Sequence, residues 1–292
     1  LAVIPARGGS KGVPHKNIRK VCGRPLISYT IQAALAINTP LHRIIVSTDD
    51  KEISEIARQE GAEVPFVRPS DLSGDETPTL PVVQHAVHFV ENLDRAKLDW
   101  VLLLQPTAPL RTVEDIEASI ALTRESVCDS VISVERTLAH HPKLMKRIVD
   151  DQLVPYYGEP SSKWEGRRQD LRPKAYLRNG AIYLTRRDVI MENSSLFGSS
   201  IRPYVMPPER SISIDSELDL LTAQYMIQEK LQESQIPDQD SEDMEGPAPT
   251  EFAQNESIAG NQTVRERIPT KDPLLAIDHV GIVVNDIDKA GK

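Results

Sequence analysis

The sequence predicts an α/β protein of three layers, with a mostly parallel sheet between helices. Three observations predict it. Short apolar runs of strand character alternate with amphipathic stretches from Leu1 to Glu135. The first run, Leu1–Pro5, opens directly into a loop rich in glycine and cations, Arg7-Gly-Gly-Ser-Lys11-Gly-Val-Pro-His-Lys16-Asn17. A helix pattern follows that loop, an order that puts ligands beyond the carboxyl ends of the strands.

The elements follow in order. Strands are expected at Leu1–Pro5, Arg43–Ser47, Trp100–Leu104 and Ser130–Val134, and helices at Pro25–Ile37, Lys51–Glu60, Thr79–Asn92 and Val113–Arg124. Thr48, Thr77 and Thr112 stand near helix starts as cap residues. Strand–helix–strand units of this length are right-handed, so the loops after Pro5, Ser47 and Leu104 open on one sheet edge. The pattern breaks from His140 to Pro173, a stretch rich in Pro, Tyr, Lys and Arg with period-2 patches at Lys146–Leu153. A strand at Gly180–Leu184 and a helix at Ser216–Leu231 complete a unit spanning residues 1–231. Residues 232–272 are polar, acidic and proline-spotted, and read as a disordered linker. The run Leu274-Leu-Ala-Ile-Asp-His279-Val-Gly-Ile-Val-Val284 then begins a second module, truncated over 273–292.

The 292 residues carry a net charge of −9, but the acidity is local. Gln232 to Gln262 holds eight acids and no Lys or Arg, and without it acids and bases nearly balance. No basic stripe suits nucleic acid. No apolar run is long enough to span a bilayer. Cys22 and Cys128 are far apart and form no CxxC pair, which fits reduced thiols in a cytoplasmic protein. The chain starts within its first strand and without Met, so a preceding segment is expected.

The loop itself says most about chemistry. Lys11-Gly12 is followed by Val13, so it is not a Walker loop, and Gly8, Gly9 and Gly12 have the wrong spacing for a dinucleotide fingerprint. Three cations beside turning backbone N–H groups suit a triphosphate. Asp49 ends a strand on the same edge, as a metal or ribose ligand or a cap for the next helix.

The run Pro5-Ala-Arg-Gly-Gly-Ser-Lys-Gly12 with Lys16-Asn17 resembles the signature loop of the CMP-sialic acid synthetase (acylneuraminate cytidylyltransferase) family. Ile45-Val-Ser-Thr-Asp49, Leu104-Gln105-Pro-Thr-Ala-Pro-Leu-Arg111 and Asn179-Gly-Ala-Ile-Tyr183 agree in order and spacing, and Ser213-Ile-Asp215-Ser-Glu-Leu-Asp219 agrees in part. The resemblance implies a Rossmann-like nucleotidyltransferase fold with a dimerisation arm inserted at about 140–173, and so a homodimer. It implies transfer of CMP from CTP to a 2-keto sugar acid of sialic, legionaminic or pseudaminic type, with Mg2+, and no nucleic-acid or membrane partner. The expected nucleotide site is Ala6, Arg7, Gly8, Ser10, Lys11, Asn17 and Thr79. Arg7, Lys11, Lys16 and Gln105 are the expected catalytic residues, Arg7 or Lys11 following the pyrophosphate. Gln105, Arg168, Arg178 and Asn179 would meet the acceptor, and Asp215 the metal. The tail at His279 is similar to the first strand of a glyoxalase-type (vicinal oxygen chelate) module.

Two departures from the family pattern bear on the acceptor and the metal. The family's Asp-Ile-Asp is here Ser213-Ile-Asp215, leaving one carboxylate. The family's arginine two residues before the Asn is here Leu177, with Arg178 one later, so Arg167, Arg168 or Lys163 are alternative partners for an acceptor carboxylate. The alternatives are another acid acceptor, an eight-carbon keto-sugar acid or a phosphonate, and a nucleotide-binding regulatory domain that has lost turnover. His85 and His88 read as packed or solvated, and His140-His141-Pro142 as a hinge at the base of the arm.

Overall fold

The computed structural model describes residues 1–10, 12–157 and 166–233. The chain forms β1 (Ala2–Pro5), a short antiparallel pair β2 (Lys20–Val21) and β3 (Arg24–Pro25), α1 (Leu26–Leu35), β4 (Ile44–Ser47), α2 (Lys51–Gln59), α3 (Thr79–Asp94), β5 (Trp100–Leu103), α4 (Val113–Glu125) and β6 (Ser130–Thr137). Then come β7 (Lys146–Val149), β8 (Gln152–Pro155), β9 (Ala175–Arg186), α5 (Arg187–Met191), β10 (Ile201–Met206) and α6 (Glu217–Glu233). The expected linker at 232–272 and second module at 273–292 lie outside the described residues beyond Glu233.

Six strands build the central sheet in the order β10-β6-β9-β5-β1-β4. β4, β1 and β5 run parallel, as do β6 and β10, while β9 runs antiparallel to both of its neighbours. Strand alternation sorts the core onto two faces. Ala2, Ile4, Leu102 and Leu104 pack with Ile27 and Ile31 of α1, Ile53 of α2 and Ile116 of α4. Val3, Val101 and Leu103 face Val83, Val87 and Val90 of α3 and Ile190 of α5. A third cluster joins α6 through Leu220, Ala223 and Ile227 to Val13, Val21, Leu110 and Ile214.

The structure corrects some local expectations. Thr112 caps α4 in a capping box with Asp115, as the sequence suggests. Thr48 and Thr77 do not cap: Asp50 receives the Ile53 N–H at the start of α2, and no side chain caps α3. Thr48 instead accepts from the Asp50 N–H. β10 had no sequence reading. It sits at the sheet edge with Arg202 and Pro203 inside it, residues that break the apolar alternation.

In the His140–Pro173 stretch, β7 and β8 pair as an antiparallel ribbon, matching the period-2 patches. Asp150 and Asp151 both have positive φ, which gives the two-residue turn the twist of its strands. His141 is buried, and its ring accepts from the Lys143 N–H and meets the Pro173 carbonyl at 2.8 Å, tying the two ends of this excursion together.

Candidate functional site

β1 delivers the glycine loop at the sheet's carboxyl edge. Ala6 is buried and continues the strand pairing through its N–H to the Ser47 carbonyl, 2.9 Å. The Gly8 N–H donates to Asp49 Oδ1 at 3.1 Å, and a side chain at residue 8 would collide with the Asp50 carboxylate. Asp49 therefore braces the loop from the next strand and does not cap α2. Asn17, also buried, spans the loop by donating from Nδ2 to the Arg7 carbonyl, 2.9 Å. Lys11 lies outside the described residues.

A cleft of about 350 Å³ opens above this edge. It brings together Arg7, Ser10, Lys16, Asn17, Thr79, Gln105 and Asp215, seven of the expected site residues. Each cation in it already touches an internal acceptor. Arg7 Nη1 meets Asp75 Oδ1 and the Gly74 carbonyl, both at 2.9 Å. Lys16 Nζ donates to the Ile214 carbonyl at 2.6 Å and to Asp215 Oδ1 at 3.2 Å.

Asp215 reaches the cleft because the helix cap is supplied elsewhere. Asp219 accepts from the N–H groups of Asp215 and Ser216 and from the Ser216 hydroxyl, so Ser216 and Asp219 close the start of α6. A β-carbon at Gly12 would strike the Asp215 carbonyl, so glycine alone lets the loop press against this turn. Ser213 Oγ lies 3.4 Å from Asp215 Oδ2 and 3.5 Å from Thr107 Oγ1. These are hard oxygen donors with one carboxylate, and no group of three or more His, Cys, Asp or Glu among the described residues is arranged to hold a metal. The set fits a Mg2+ ion that draws its remaining ligands from phosphate and water.

Gln105 follows β5 and leans over Gly180, whose φ is +73°. Its Oε1 sits 3.0 Å from where a β-carbon at residue 180 would stand, so the glycine makes room for it. The remaining expected acceptor residues are not in the cleft lining. Asn179 is buried beneath it. Its Oδ1 accepts from Ser133 Oγ (2.6 Å) and the Ala181 N–H (3.2 Å), and Nδ2 donates to Ser211 Oγ (2.9 Å). Arg178 is exposed, with its guanidinium 4.6 Å from the Phe197 ring centre. Arg168 begins an exposed 3-10 turn in which Arg167 pairs with Asp170. Lys163 lies outside the described residues.

Sequence reading missed four groups at or behind this edge. Arg68 is buried, lines the cleft and holds the Ser47 hydroxyl and carbonyl. Burial lowers its pKa to about 10 against the pull of Asp49. Asp75 lies in the segment before α3 and lines the cleft. Behind the Ser211–Asp215 segment, Asp115 is fully buried and accepts from Arg210 (2.7 and 2.9 Å) and the Tyr204 hydroxyl (2.9 Å). Burial raises the Asp115 pKa, but Arg210, the Thr112 N–H and Tyr204 outweigh it and hold the carboxyl below its usual range. The same burial and the same carboxylate push Tyr204 up to about 12. Arg111, named only as part of a motif, is buried and joins the Ala181 carbonyl (2.6 Å) to Thr30 (2.8 Å). Arg68 and Arg111 stand in loops, where a charged residue carries no sequence sign of burial, and the partners of Asp115 lie 89 and 95 positions away.

Comparison with known proteins shows the family and the fold. A family model described as cytidylyltransferase matches residues 1–235. A Legionella pneumophila protein named CMP-N,N'-diacetyllegionaminic acid synthase is 35% identical over 80% of this chain and 96% of its own length. A Campylobacter coli protein named post-translational flagellin modification protein B is 33% identical over 79% of this chain and 95% of its own. Among solved structures, a CMP:2-keto-3-deoxy-manno-octonic acid synthetase complexed with CTP is similar in fold, with a TM-score of 0.58 and 19% identity over 79% of this chain and 98% of that one. Among the described residues no helix is long and apolar enough to cross a membrane.

Proposed function

The chain belongs to the cytidylyltransferase family, and from that premise we propose that it transfers CMP from CTP to a nine-carbon 2-keto sugar acid of legionaminic, pseudaminic or sialic type. The observation that carries the reading is the convergence of Arg7, Lys16, Gln105 and Asp215 on one cleft at the carboxyl edge of the sheet. The acceptor's anomeric hydroxyl attacks the α-phosphorus, and the bond to the β-phosphate breaks as pyrophosphate leaves with the electron pair. Arg7 and Lys11 hold the departing phosphates. Lys16 and Asn17 orient the α-phosphate or the acceptor, and Ala6, Gly8, Ser10 and Thr79 hold the nucleoside end. Gln105 orients the acceptor hydroxyl, whose proton passes to water beside Gln105 or Asp215. Asp215, with the Ser213 hydroxyl, would hold Mg2+, which supplies charge neutralisation on the phosphates when bound. Catalysis is then mainly positioning and charge stabilisation.

Arg178 and Arg168 are the proposed partners of the acceptor's carboxylate, and Asn179 acts by shaping the floor beneath Gly180. The protein is proposed to work in the cytoplasm as a homodimer. The ribbon β7–β8 supports the dimer, because its cross-strand pair Ile148 and Leu153 is 76% and 70% exposed and a lone two-stranded ribbon is marginal in water.

Pyrophosphate release from CTP and Mg2+, measured across a panel of nine-carbon and eight-carbon keto-sugar acids and a phosphonate, tests the reading. Release with a nine-carbon acid supports it, and release only with an eight-carbon acid or a phosphonate moves the acceptor class. Ser213 favours a second reading, a nucleotide-binding domain that has lost turnover; CTP binding without pyrophosphate from any acceptor is its signature.

A further inference from the structure

We propose that Asp75 is the residue that sets pyrophosphate release: it holds Arg7 when no triphosphate is bound, yields it to an incoming triphosphate, and reclaims it when pyrophosphate departs. The inference rests on the reading that Arg7 meets the phosphates.

Three observations carry it. Asp75 Oδ1 and the Gly74 carbonyl both sit 2.9 Å from the same Arg7 nitrogen, and all three residues line the cleft. The guanidinium proposed to bind phosphate is therefore already engaged through Nη1, and a ligand must compete with a carboxylate for that nitrogen. The two side chains are 29% and 37% exposed. A pair so open to water contributes little to holding the fold together. It is an exchangeable contact, and its partner is decided by whichever anion offers more charge.

The segment presenting Asp75 is also held without Arg7. The Arg68 N–H donates to the Thr48 carbonyl at 2.8 Å, Ser73 Oγ to the Pro69 carbonyl at 2.9 Å, and the Thr77 N–H to the Gly74 carbonyl at 3.2 Å. Releasing Arg7 leaves that turn in place, with Asp75 still aimed at the guanidinium. A triphosphate carries roughly four negative charges against one carboxylate and takes Arg7. Once the α–β bond has broken, pyrophosphate is no longer tethered to the nucleoside, and Asp75 competes with it directly. A monophosphate does not reach Arg7 and leaves the pair intact.

The test is calorimetry on the full chain with Mg2+, using CTP, inorganic tripolyphosphate, pyrophosphate and CMP as separate probes, for the parent, Asp75→Asn and Asp75→Glu. Asp75→Asn is expected to tighten CTP, tripolyphosphate and pyrophosphate by roughly two- to fivefold, the range of an exposed ion pair, while CMP stays unchanged. Asp75→Glu, which keeps the charge, is expected to behave like the parent. Pyrophosphate is expected to become a stronger product inhibitor of Asp75→Asn by the same factor. Equal weakening of all four probes in Asp75→Asn would mean that Asp75 only holds the turn, and would overturn the proposal, as would no change in any. Thermal melting of each variant separates altered affinity from lost fold, with Asp75→Ser as the replacement should Asn misfold. If the parent itself binds neither CTP nor tripolyphosphate, the functional reading fails rather than this one.

Discussion

The two walls of the cleft are built from charge in opposite ways. On the glycine-loop side, Arg7 and Lys16 make open pairs with Asp75 and Asp215. Behind the other wall, Asp115, Arg210 and Tyr204 form a closed network, and Asn179, Ser133 and Ser211 form another. In the open pairs the carboxylates of Asp75 and Asp215 are 37% and 75% exposed, which makes the contacts cheap to exchange, whereas that of Asp115 is fully buried. The closed networks have few spare donors, and losing one member strands a buried polar group. The first kind of wall suits a ligand that arrives with its own charge. The second fixes a shape, here the turn carrying Ser213 and Asp215 and the stretch of β9, where its register with β6 shifts, that places Gly180 under Gln105.

Substitutions should separate the walls. Arg7→Ala or Lys16→Ala is expected to lower kcat/KM for pyrophosphate release by about 10²- to 10³-fold, with a thermal midpoint close to the parent's. Asp115→Asn should do the reverse. Breaking a buried pair costs roughly 3 kcal/mol in urea unfolding, while the fraction still folded keeps its KM for CTP. A fall in kcat/KM as large as that of Lys16→Ala, at unchanged stability, would erase the distinction.

Acid should find the closed pairs next. Asp115 sits below its usual range, and Asp94, beside Arg43 and His42, lies at about 2 against an ordinary 3.8. A carboxyl with a lowered folded pKa adds stability that is complete above its unfolded value and fades as pH falls towards the folded one. Urea midpoints should therefore hold near pH 5 and decline between about pH 4 and 2, with a shallower decline in Asp115→Asn. The smallest expected effect is on assembly energetics rather than chemistry. Ile148→Asp with Leu153→Asp should yield a monomer by light scattering with the intrinsic fold unchanged by circular dichroism, and a parent that is already monomeric would remove the ribbon's proposed role.

Much of the loop-bearing wall was legible in the sequence, because glycine spacing and cations after a strand have one common physical use. The alternating strands and helices were legible for the same reason: a buried parallel sheet demands short apolar runs. β10 was not, since Arg202 and Pro203 sit where an edge strand tolerates them. Nor was the choice of Asp50 over Thr48 as the cap of α2, a matter of two residues in chain direction. The pairing of buried Asp115 with Arg210, 95 positions apart, leaves no periodic trace that local reading can detect. Gln105 was readable from its place after an apolar run, whereas the use of Gly180 to accommodate it required coordinates.

The contact of Gly12 and Lys16 with Asp215 joins positions about two hundred residues apart. A growing polypeptide thus lays down its anion-gripping bend first and waits for almost the whole unit to be synthesised before the opposing half arrives. Nucleotide cannot template early collapse in such an arrangement. It can only reward a chain whose last helix has already come home.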